Sequence, residues 1–204
     1  MSQAARTTGP AAADVDLVTD FLAVGGDLAP DDLTAWVQAT ELVESGVSHV
    51  LDVRLEADDA ALWAERGEVR YRWDGIDDAG QPVPGAWFDR VAAWALDALA
   101  TPGARLLTHC HMGVNRGPSA GYAVLLTLGW DPVDALAAIR AARPVAGIAY
   151  AEDALEWWLD RTDAGWFARR RHRARVQEWR AEHPLDVERV IRRIRAGAPL
   201  ALGA

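Results

Sequence analysis

One stretch near the middle of the chain combines a nucleophile, a cation and the residues of a tight loop. It runs from Thr108 to Ser119, reads THCHMGVNRGPS and contains the only cysteine, Cys110. Five residues separate Cys110 from Arg116, a spacing that lets a loop turn its backbone N–H groups towards an anion. Arg116 can supply a bidentate guanidinium, and a following helix would direct its positive end to the same place. The pattern predicts a phosphate-binding loop with a thiol at its floor.

Each residue of this loop has an expected part in holding the anion or the sulfur. The loop dipoles and the charge of Arg116 favour a thiolate, so we expect a lowered pKa for Cys110. Phosphate contacts are expected from Arg116 and from the five residues before it: His111, Met112, Gly113, Val114 and Asn115. The His111 side chain faces either the substrate or solvent, and Asn115 is better suited to bond to the loop than to the substrate.

The segments around the loop alternate between strand and helix patterns. Apolar runs predict strands over residues 17–24, 47–54, 69–73 and 104–109. Helical periodicity predicts the longer helices over residues 31–43, 87–99, 119–128, 131–142 and 151–159. We therefore expect one compact α/β domain over residues 14–163, with a mostly parallel central sheet flanked by helices. His109 ends the last strand and Ser119 begins the next helix, so these two residues flank the loop.

The two ends of the chain differ in composition from this domain. Residues 1–13 are rich in small and polar residues without periodicity, which predicts a disordered tail. Residues 164–204 predict a helical extension of two amphipathic helices. The extension is basic, because residues 161–204 carry 11 arginines against 5 acids. It packs on the acidic body, joins two copies, or offers a basic patch to a phosphoinositide or a nucleic acid. The first two are favoured, and a homodimer through these helices is one expectation.

Charge and composition exclude several classes of function. The 204 residues carry a net charge of −9, and residues 1–160 carry 25 acids against 10 arginines. An acidic body does not predict binding to nucleic acid. A lone cysteine excludes an internal disulfide and is compatible with a reducing compartment. No run approaches the ~18 apolar residues of a membrane span, and the first residues lack the apolar core of a signal peptide, so we expect a cytoplasmic protein.

The motif His109-Cys110-x5-Arg116, between a strand and a helix, resembles the signature of the cysteine-dependent protein tyrosine phosphatase superfamily. The compact body resembles the dual-specificity branch over roughly residues 14–160. The resemblance implies a general-acid aspartate on a loop upstream of the cysteine, and Asp78 lies 32 residues upstream in a loop rich in glycine and proline. Asp77 is the alternative. The sequence Asp77-Asp78-x-Gly followed by prolines resembles the phosphatase of regenerating liver subgroup.

This resemblance implies a phosphomonoester hydrolase that forms a phosphocysteine intermediate and needs no metal or other cofactor. Cys110 would attack phosphorus, Arg116 would bind the equatorial oxygens, and the aspartate would protonate the leaving group. His109 and Ser119 would support the loop. The expected substrate is a phosphorylated protein or a small phosphomonoester. Many members carry Ser or Thr after the arginine to help the thiolate leave, whereas this chain has Gly117. We therefore expect slow hydrolysis of the intermediate.

Three other functions are compatible with the loop. RNA 5′-triphosphatases of the same superfamily share Gly-x-Asn-Arg but place Thr-Gly where this chain has Gly117-Pro118. A rhodanese-like sulfurtransferase also uses a cysteine at the base of an anion-binding loop, typically a shorter one, and needs no upstream acid. A phosphopeptide-binding module commonly lacks the cysteine or the arginine, and both are present here. A protein tyrosine or dual-specificity phosphatase is therefore the leading hypothesis. Arg54 and Glu56, after the second predicted strand, either line the pocket or pair with each other.

Overall fold

The structure is a computed structural model, and it describes residues 10–196. Within that range, five strands and eight helices follow one another along the chain. The strands are β1 (Val15–Leu17), β2 (Leu22–Gly25), β3 (His49–Arg54), β4 (Arg70–Ile76) and β5 (Leu106–His109). The helices are α1 (Asp32–Glu44), α2 (Ala60–Arg66), α3 (Gly85–Leu99), α4 (Arg116–Thr127), α5 (Pro132–Ala142), α6 (Ala151–Arg161), α7 (Trp166–Glu182) and α8 (Val187–Arg195).

The five strands form one mixed sheet in the order β1-β2-β5-β3-β4. The strands β2, β5, β3 and β4 pair in parallel, and β1 adds an antiparallel edge. The mostly parallel sheet predicted from the sequence is confirmed. Because β5 lies in the middle, Cys110 follows the carboxyl end of the central strand, which is where parallel sheets place their ligands.

Helices cover both faces of the sheet, as the alternating pattern predicted. On one face, Leu42 of α1 and Trp63 of α2 pack with Val50 and Leu107 of the sheet. The other face is covered by α3, α4, α5 and α6, whose apolar side chains form the larger core. The first eleven residues of α4, from Arg116 to Leu126, are all buried. This helix therefore holds the end of the phosphate loop inside the protein.

The first predicted strand, residues 17–24, is wrong as a single element. It is a hairpin of β1 and β2, because Thr19 Oγ1 accepts the N–H groups of Phe21 at 3.3 Å and Leu22 at 3.0 Å and closes a turn. The sequence pattern is apolar on both sides of this turn, so it resembles one continuous strand.

Two other boundaries also differ from the prediction. Asp74, Gly75 and Ile76, expected in a loop, continue β4 past an irregularity in its pairing with β3. Gly75 permits this, because a Cβ there would lie 2.2 Å from the carbonyl oxygen of Arg54. The helix expected from residue 119 begins at Arg116 instead, so the arginine of the motif lies in the first turn of α4.

Both ends of the described range are attached to the domain. The backbone N–H groups of Ala12 and Ala13 donate to the Glu41 carboxylate at 2.9 and 3.0 Å. The rest of the predicted disordered tail, residues 1–9, lies outside the described residues. The two helices predicted in the extension are confirmed as α7 and α8, and α7 packs on α5 and α6. The homodimer through them stays a prediction. Among residues 10–196, no helix has the length and apolar character needed to cross a bilayer.

A valine in place of Gly121 tests the packing of α4 against the sheet. A Cβ there would lie 3.0 Å from Val24 Cγ1 and 3.1 Å from Thr108 Oγ1, both in buried strands. We expect Gly121→Val to lower the free energy of unfolding by about 1–3 kcal/mol, because these neighbours cannot move apart freely. The matched change Gly165→Val, where a Cβ meets no atom within 4 Å, should cost less than about 1 kcal/mol. Urea denaturation measures both, and equal losses would contradict the close packing of α4.

Candidate active site

The phosphate loop between β5 and α4 is anchored through its carbonyl groups. The carbonyl of His111 accepts the N–H of Asp27 at 3.0 Å, and the carbonyl of Val114 accepts the N–H of Gly147 at 2.6 Å. Both donors lie in neighbouring loops outside the phosphate loop. The carbonyl oxygens are thereby directed outward, which leaves the N–H groups for the interior of the loop.

Arg143, at the carboxyl end of α5, satisfies the two remaining carbonyls. Its guanidinium donates to the carbonyl of Gly113 at 2.6 Å and to that of Met112 at 3.1 Å. It also forms ion pairs with Asp14 and Asp16, each at 2.7 Å. Gly113 has a φ of 60°, and a Cβ on it would lie 2.4 Å from Arg143 Nη2. Only glycine therefore lets the buried guanidinium approach the loop.

Arg116 is held in a fixed orientation by Glu56. Its two terminal nitrogens donate to the two carboxylate oxygens of Glu56, both at 2.6 Å, and one of them also donates to the carbonyl of Ile76 at 3.1 Å. The hydrogen bonds from Arg116 lower the pKa of Glu56 to about 2. Glu56 therefore stays ionised at neutral pH and does not pair with Arg54. The bidentate pair presents the remaining edge of the guanidinium to the pocket.

Of the two candidate acids, the structure places the carboxylate of Asp78 beside Arg116. Asp78 Oδ2 lies 3.4 Å from Arg116 Nε, and Asp78 Oδ1 accepts from Asn115 Nδ2 at 2.5 Å and from the Tyr150 hydroxyl at 3.2 Å. The carboxylate of Asp77 instead accepts the N–H of Asp78 at 2.8 Å. Asp77 therefore shapes the acid loop, and Asp78 faces the pocket.

Asn115 and Ser119 connect the phosphate loop to the loop before α6. Asn115 Oδ1 accepts the N–H of Ala149 at 2.6 Å, and the Ser119 hydroxyl accepts the N–H of Tyr150 at 3.3 Å. Ser119 also donates to Asn115 Oδ1 at 3.4 Å. These bonds fit the expectation that Asn115 bonds to the loop. They direct the Ser119 hydroxyl to this contact and not to Cys110.

His109 lies beneath the loop in a buried charged cluster. Its Nε2 is 3.7 Å from Asp52 Oδ2 and 3.9 Å from Asp59 Oδ2, and these three residues have the chemistry of metal ligands. The guanidinium of Arg54 already pairs with both carboxylates, at 2.5 and 2.8 Å, so it occupies the place of a cation. Burial lowers the pKa of His109, so its ring is neutral. The expected supporting role is compatible with this position.

His111 belongs to the rim of the site and not to its centre. Its Nδ1 lies 2.5 Å from Asp27 Oδ2, and Asp27 Oδ1 lies 2.8 Å from Arg54. The ring is half-exposed. The sequence left two alternatives for the His111 side chain, facing the substrate or facing solvent. Neither describes this arrangement fully, because Asp27, from a different loop, holds the ring. The sequence contains no local signal for that pairing.

The pKa of Cys110 contradicts the expectation from the sequence. Burial of the sulfur raises the pKa, and this outweighs the lowering by the N–H group of Gly117, the charge of Arg116 and the N–H group of Gly113. The Asp78 carboxylate raises it further. The sequence argument considered the loop dipoles and the charge of Arg116 without the burial of the sulfur or the nearby carboxylate of Asp78. Cys110 therefore rests as a thiol in this structure at neutral pH.

Close packing favours glycine at position 117, directly after the arginine of the motif. A Cβ at this position would lie 3.0 Å from the backbone nitrogen of Cys110 and 3.0 Å from the Cα and the carbonyl carbon of His109. These atoms belong to the backbone of the central strand and its loop. A serine or threonine here would therefore displace the floor of the site.

These residues surround one pocket of about 430 Å³. Its lining comes from the phosphate loop, the acid loop, the loop before α6, and α8: Cys110, His111, Met112, Val114, Asn115, Arg116, Asp78, Gly80, Gly147, Ala149, Val187, Ile191 and Arg195. The functional candidates that the sequence did not identify are Arg143, Tyr150, the residues of α8 and the pairing of Glu56 with Arg116. Each reaches the site from a distant part of the chain, so no local motif marks it.

No protein-family model matches the sequence, and no curated protein matches it. Solved structures do match the fold. That of PTPMT1 in complex with PI(5)P has a TM-score of 0.60 and 18% identity, over 74% of this chain and 97% of that one. That of Tk-PTP in its active form has a TM-score of 0.61 and 18% identity, over 72% and 97%. That of human DUSP28 has a TM-score of 0.58 and 19% identity, over 76% and 99%. The chain therefore has the fold of the dual-specificity phosphatases, with a helical extension.

Replacing Arg143 tests whether it holds the phosphate loop in shape. Arg143→Met leaves the carbonyls of Met112 and Gly113 buried without donors, so we expect orthovanadate to bind at least about tenfold more weakly. Isothermal titration calorimetry measures this binding without depending on activity. The matched change Arg161→Met removes an exposed arginine on α6 and should not alter it. Equal vanadate affinities in all three proteins would contradict the role of Arg143.

The reactivity of Cys110 tests the direction of its pKa. Because the chain has one cysteine, iodoacetamide reports on this site alone. The thiolate is the reactive form, so the alkylation rate of the folded protein should rise with pH and reach half its maximum above pH 9. In concentrated urea the midpoint should fall to about the ordinary value of 9.0. A rate that is already maximal at pH 7 in the folded protein would contradict the raised pKa.

Proposed function

We propose that this protein hydrolyses phosphomonoesters through a phosphocysteine intermediate, as a protein tyrosine or dual-specificity phosphatase. The observation that carries the proposal is the meeting of three groups in one pocket. Cys110 lies at the floor, Arg116 is fixed by Glu56, and the carboxyl group of Asp78 lies 3.4 Å from Arg116 Nε. A nucleophile, an oxyanion-binding cation and an acid are the groups that this reaction needs.

Before the first step, the resting Cys110 thiol gives its proton to water. The thiolate then attacks phosphorus and forms the S–P bond. The bond between phosphorus and the leaving oxygen breaks, and Asp78, in its acid form, gives its proton to that oxygen. Arg116 and the loop N–H groups bind the non-bridging oxygens throughout, so little movement of charges is needed.

In the second step, a water molecule attacks phosphorus from the side that the leaving group has vacated. Asp78 accepts a proton from this water, the S–P bond breaks, and Cys110 leaves as the thiolate. Inorganic phosphate is the product, and the proton on Asp78 restores the starting state. With Gly117 after the arginine, no hydroxyl at that position assists the departing sulfur. This supports the expected slow second step.

Two aryl phosphates and three variants test the assignments. Cys110→Ser should abolish turnover of 4-nitrophenyl phosphate. Asp78→Asn should lower kcat by about 10²–10⁴-fold, and by more for phenyl phosphate than for 4-nitrophenyl phosphate, because phenoxide is the poorer leaving group. The neighbouring change Asp77→Asn removes the same charge at the adjacent position. It should leave kcat within a factor of about three, because the carboxylate of Asp77 does not face the pocket.

Other results would contradict the proposal. Hydrolysis that survives Cys110→Ser would exclude the phosphocysteine. Transfer of sulfur from thiosulfate to cyanide, without phosphatase activity, would indicate a sulfurtransferase instead. Stoichiometric binding of a phosphopeptide without turnover would indicate a binding module. Release of phosphate from RNA 5′-triphosphate ends but from no monoester would indicate the RNA-directed branch of the same superfamily.

A further inference from the structure

The helix α8, in the extension, contributes directly to the candidate active site. Val187, Ile191 and Arg195 all line the pocket above Cys110. They are spaced four residues apart, so they share one face of the helix. The extension therefore does more than cover the domain: it supplies one wall of the site.

The position of α8 is fixed by apolar packing against the phosphate loop. Val190, with 4% of its surface exposed, packs in one cluster with Val114 of the loop and Val145. A Cβ on Gly147 would lie 3.2 Å from Val187 Cγ2, so the loop before α6 and the side chain of Val187 are in close contact. Asp186 begins the helix by accepting the N–H of Arg189 at 2.9 Å.

The segment before α8 is tied to the body by arginines. Arg180 of α7 donates to the carbonyl of Ile148 at 3.0 Å, next to the pocket. Arg140 of α5 donates to the carbonyl of His183, between α7 and α8, at 3.4 Å. The segment that leads into α8 is therefore bonded to the loop before α6, which Asn115 also contacts.

Two arginines of α8, Arg192 and Arg195, differ in whether an acid lies near them. Arg192 lies 3.8 Å from Glu188 on the same helix. Arg195 is exposed at the mouth of the pocket and has no ionic partner among residues 10–196. Within the described lining, Arg116 is the other guanidinium, and Glu56 and Asp78 already balance it. A substrate with a second negative charge would thus meet an arginine that is free to pair.

We propose that α8 is part of the substrate site and that Val187, Ile191 and Arg195 select an aromatic phosphomonoester with a second acidic group. The proposal rests on the proposed function. With the phosphate in the loop, an aromatic ring fills the space between the apolar side chains of Val114 and α8, and burial of its faces favours binding. The short side chain of phosphoserine offers no such surface. A phosphotyrosine with acidic neighbours in a protein has the required chemistry.

Two matched phosphotyrosyl peptides test the charge. One carries glutamates on both sides of the phosphotyrosine, and the other carries glutamines there. Arg195→Ala should lower kcat/KM for the acidic peptide by about fivefold, as expected for an exposed ion pair, and should change the neutral peptide by less than about twofold. Arg189→Ala removes the same charge from α8 outside the pocket and should leave the ratio of the two peptides unchanged. Equal effects of Arg195→Ala on both peptides, or none, would overturn the assignment.

Ile191→Ala tests the apolar wall. It should raise KM for both phosphotyrosyl peptides by about tenfold, because the variant lacks three side-chain carbon atoms that would contact the aromatic ring. Orthovanadate, which fills only the phosphate loop, should inhibit the variant and the wild type equally. Weaker vanadate inhibition of the variant would show that α8 acts on the loop and would overturn substrate contact.

The two levels of proposal fail in different ways. A wild-type protein that hydrolyses 4-nitrophenyl phosphate but prefers a phosphoseryl peptide to both phosphotyrosyl peptides overturns the selection by α8 alone. A wild-type protein that hydrolyses none of these esters overturns the proposed function, and the selection with it.

Discussion

The site depends on one geometric constraint: a loop that turns its N–H groups inward must satisfy its carbonyl groups on the outside. A buried carbonyl without a donor costs about 1–3 kcal/mol, so a free loop of this shape would not be stable. Here the backbone of Asp27 and Gly147 supplies two donors, and Arg143 supplies the other two. The hairpin of β1 and β2, the end of α5 and the loop before α6 therefore all meet at the phosphate loop because they complete its hydrogen bonds.

Three buried arginines surround the loop, and acids from elsewhere balance each of them. Arg54, Arg116 and Arg143 have side chains that are 3–5% exposed. Their ionic partners are Asp14, Asp16, Asp27, Asp52, Glu56, Asp59 and Asp78. Removing one partner of a buried pair is strongly destabilising, because a desolvated charge is left behind. Part of the acidity of the body is thus a requirement of the site and not only a property of the surface.

The sequence was sufficient for the features that are encoded locally. The spacing of Cys110 and Arg116 predicted the loop, and the alternation of strand and helix patterns predicted the mostly parallel sheet. It could not predict the role of Arg143 or the pairing of Glu56 with Arg116, because each acts across a long stretch of chain and neither lies in a recognisable motif. The raised pKa of Cys110 was missed because it depends first on burial of the sulfur, which the loop motif does not encode.

Other differences between prediction and structure came from local sequence patterns that are compatible with two structures. The apolar residues on both sides of Thr19 fit one strand as well as a hairpin, and only the hydrogen bonds of Thr19 distinguish them. Asp74, Gly75 and Ile76 have the composition of a loop, yet the lack of a side chain on Gly75 lets the strand continue beside Arg54. The wall from α8 was visible as an amphipathic pattern, but the pattern does not say which surface its apolar face contacts.

The isolation of Cys110 also determines how the protein responds to oxidation. The 204 residues contain one cysteine, so a sulfenic acid formed at Cys110 has no second thiol in the chain with which to form a disulfide. A nearby backbone nitrogen can cap the sulfenic acid as a sulfenamide with loss of water, but return to the thiol requires reduction by thiols from other molecules. Burial of the sulfur and its raised pKa keep the thiolate scarce, which slows the first oxidation step. The same features that delay attack on phosphorus therefore protect a nucleophile that has no internal means of repair.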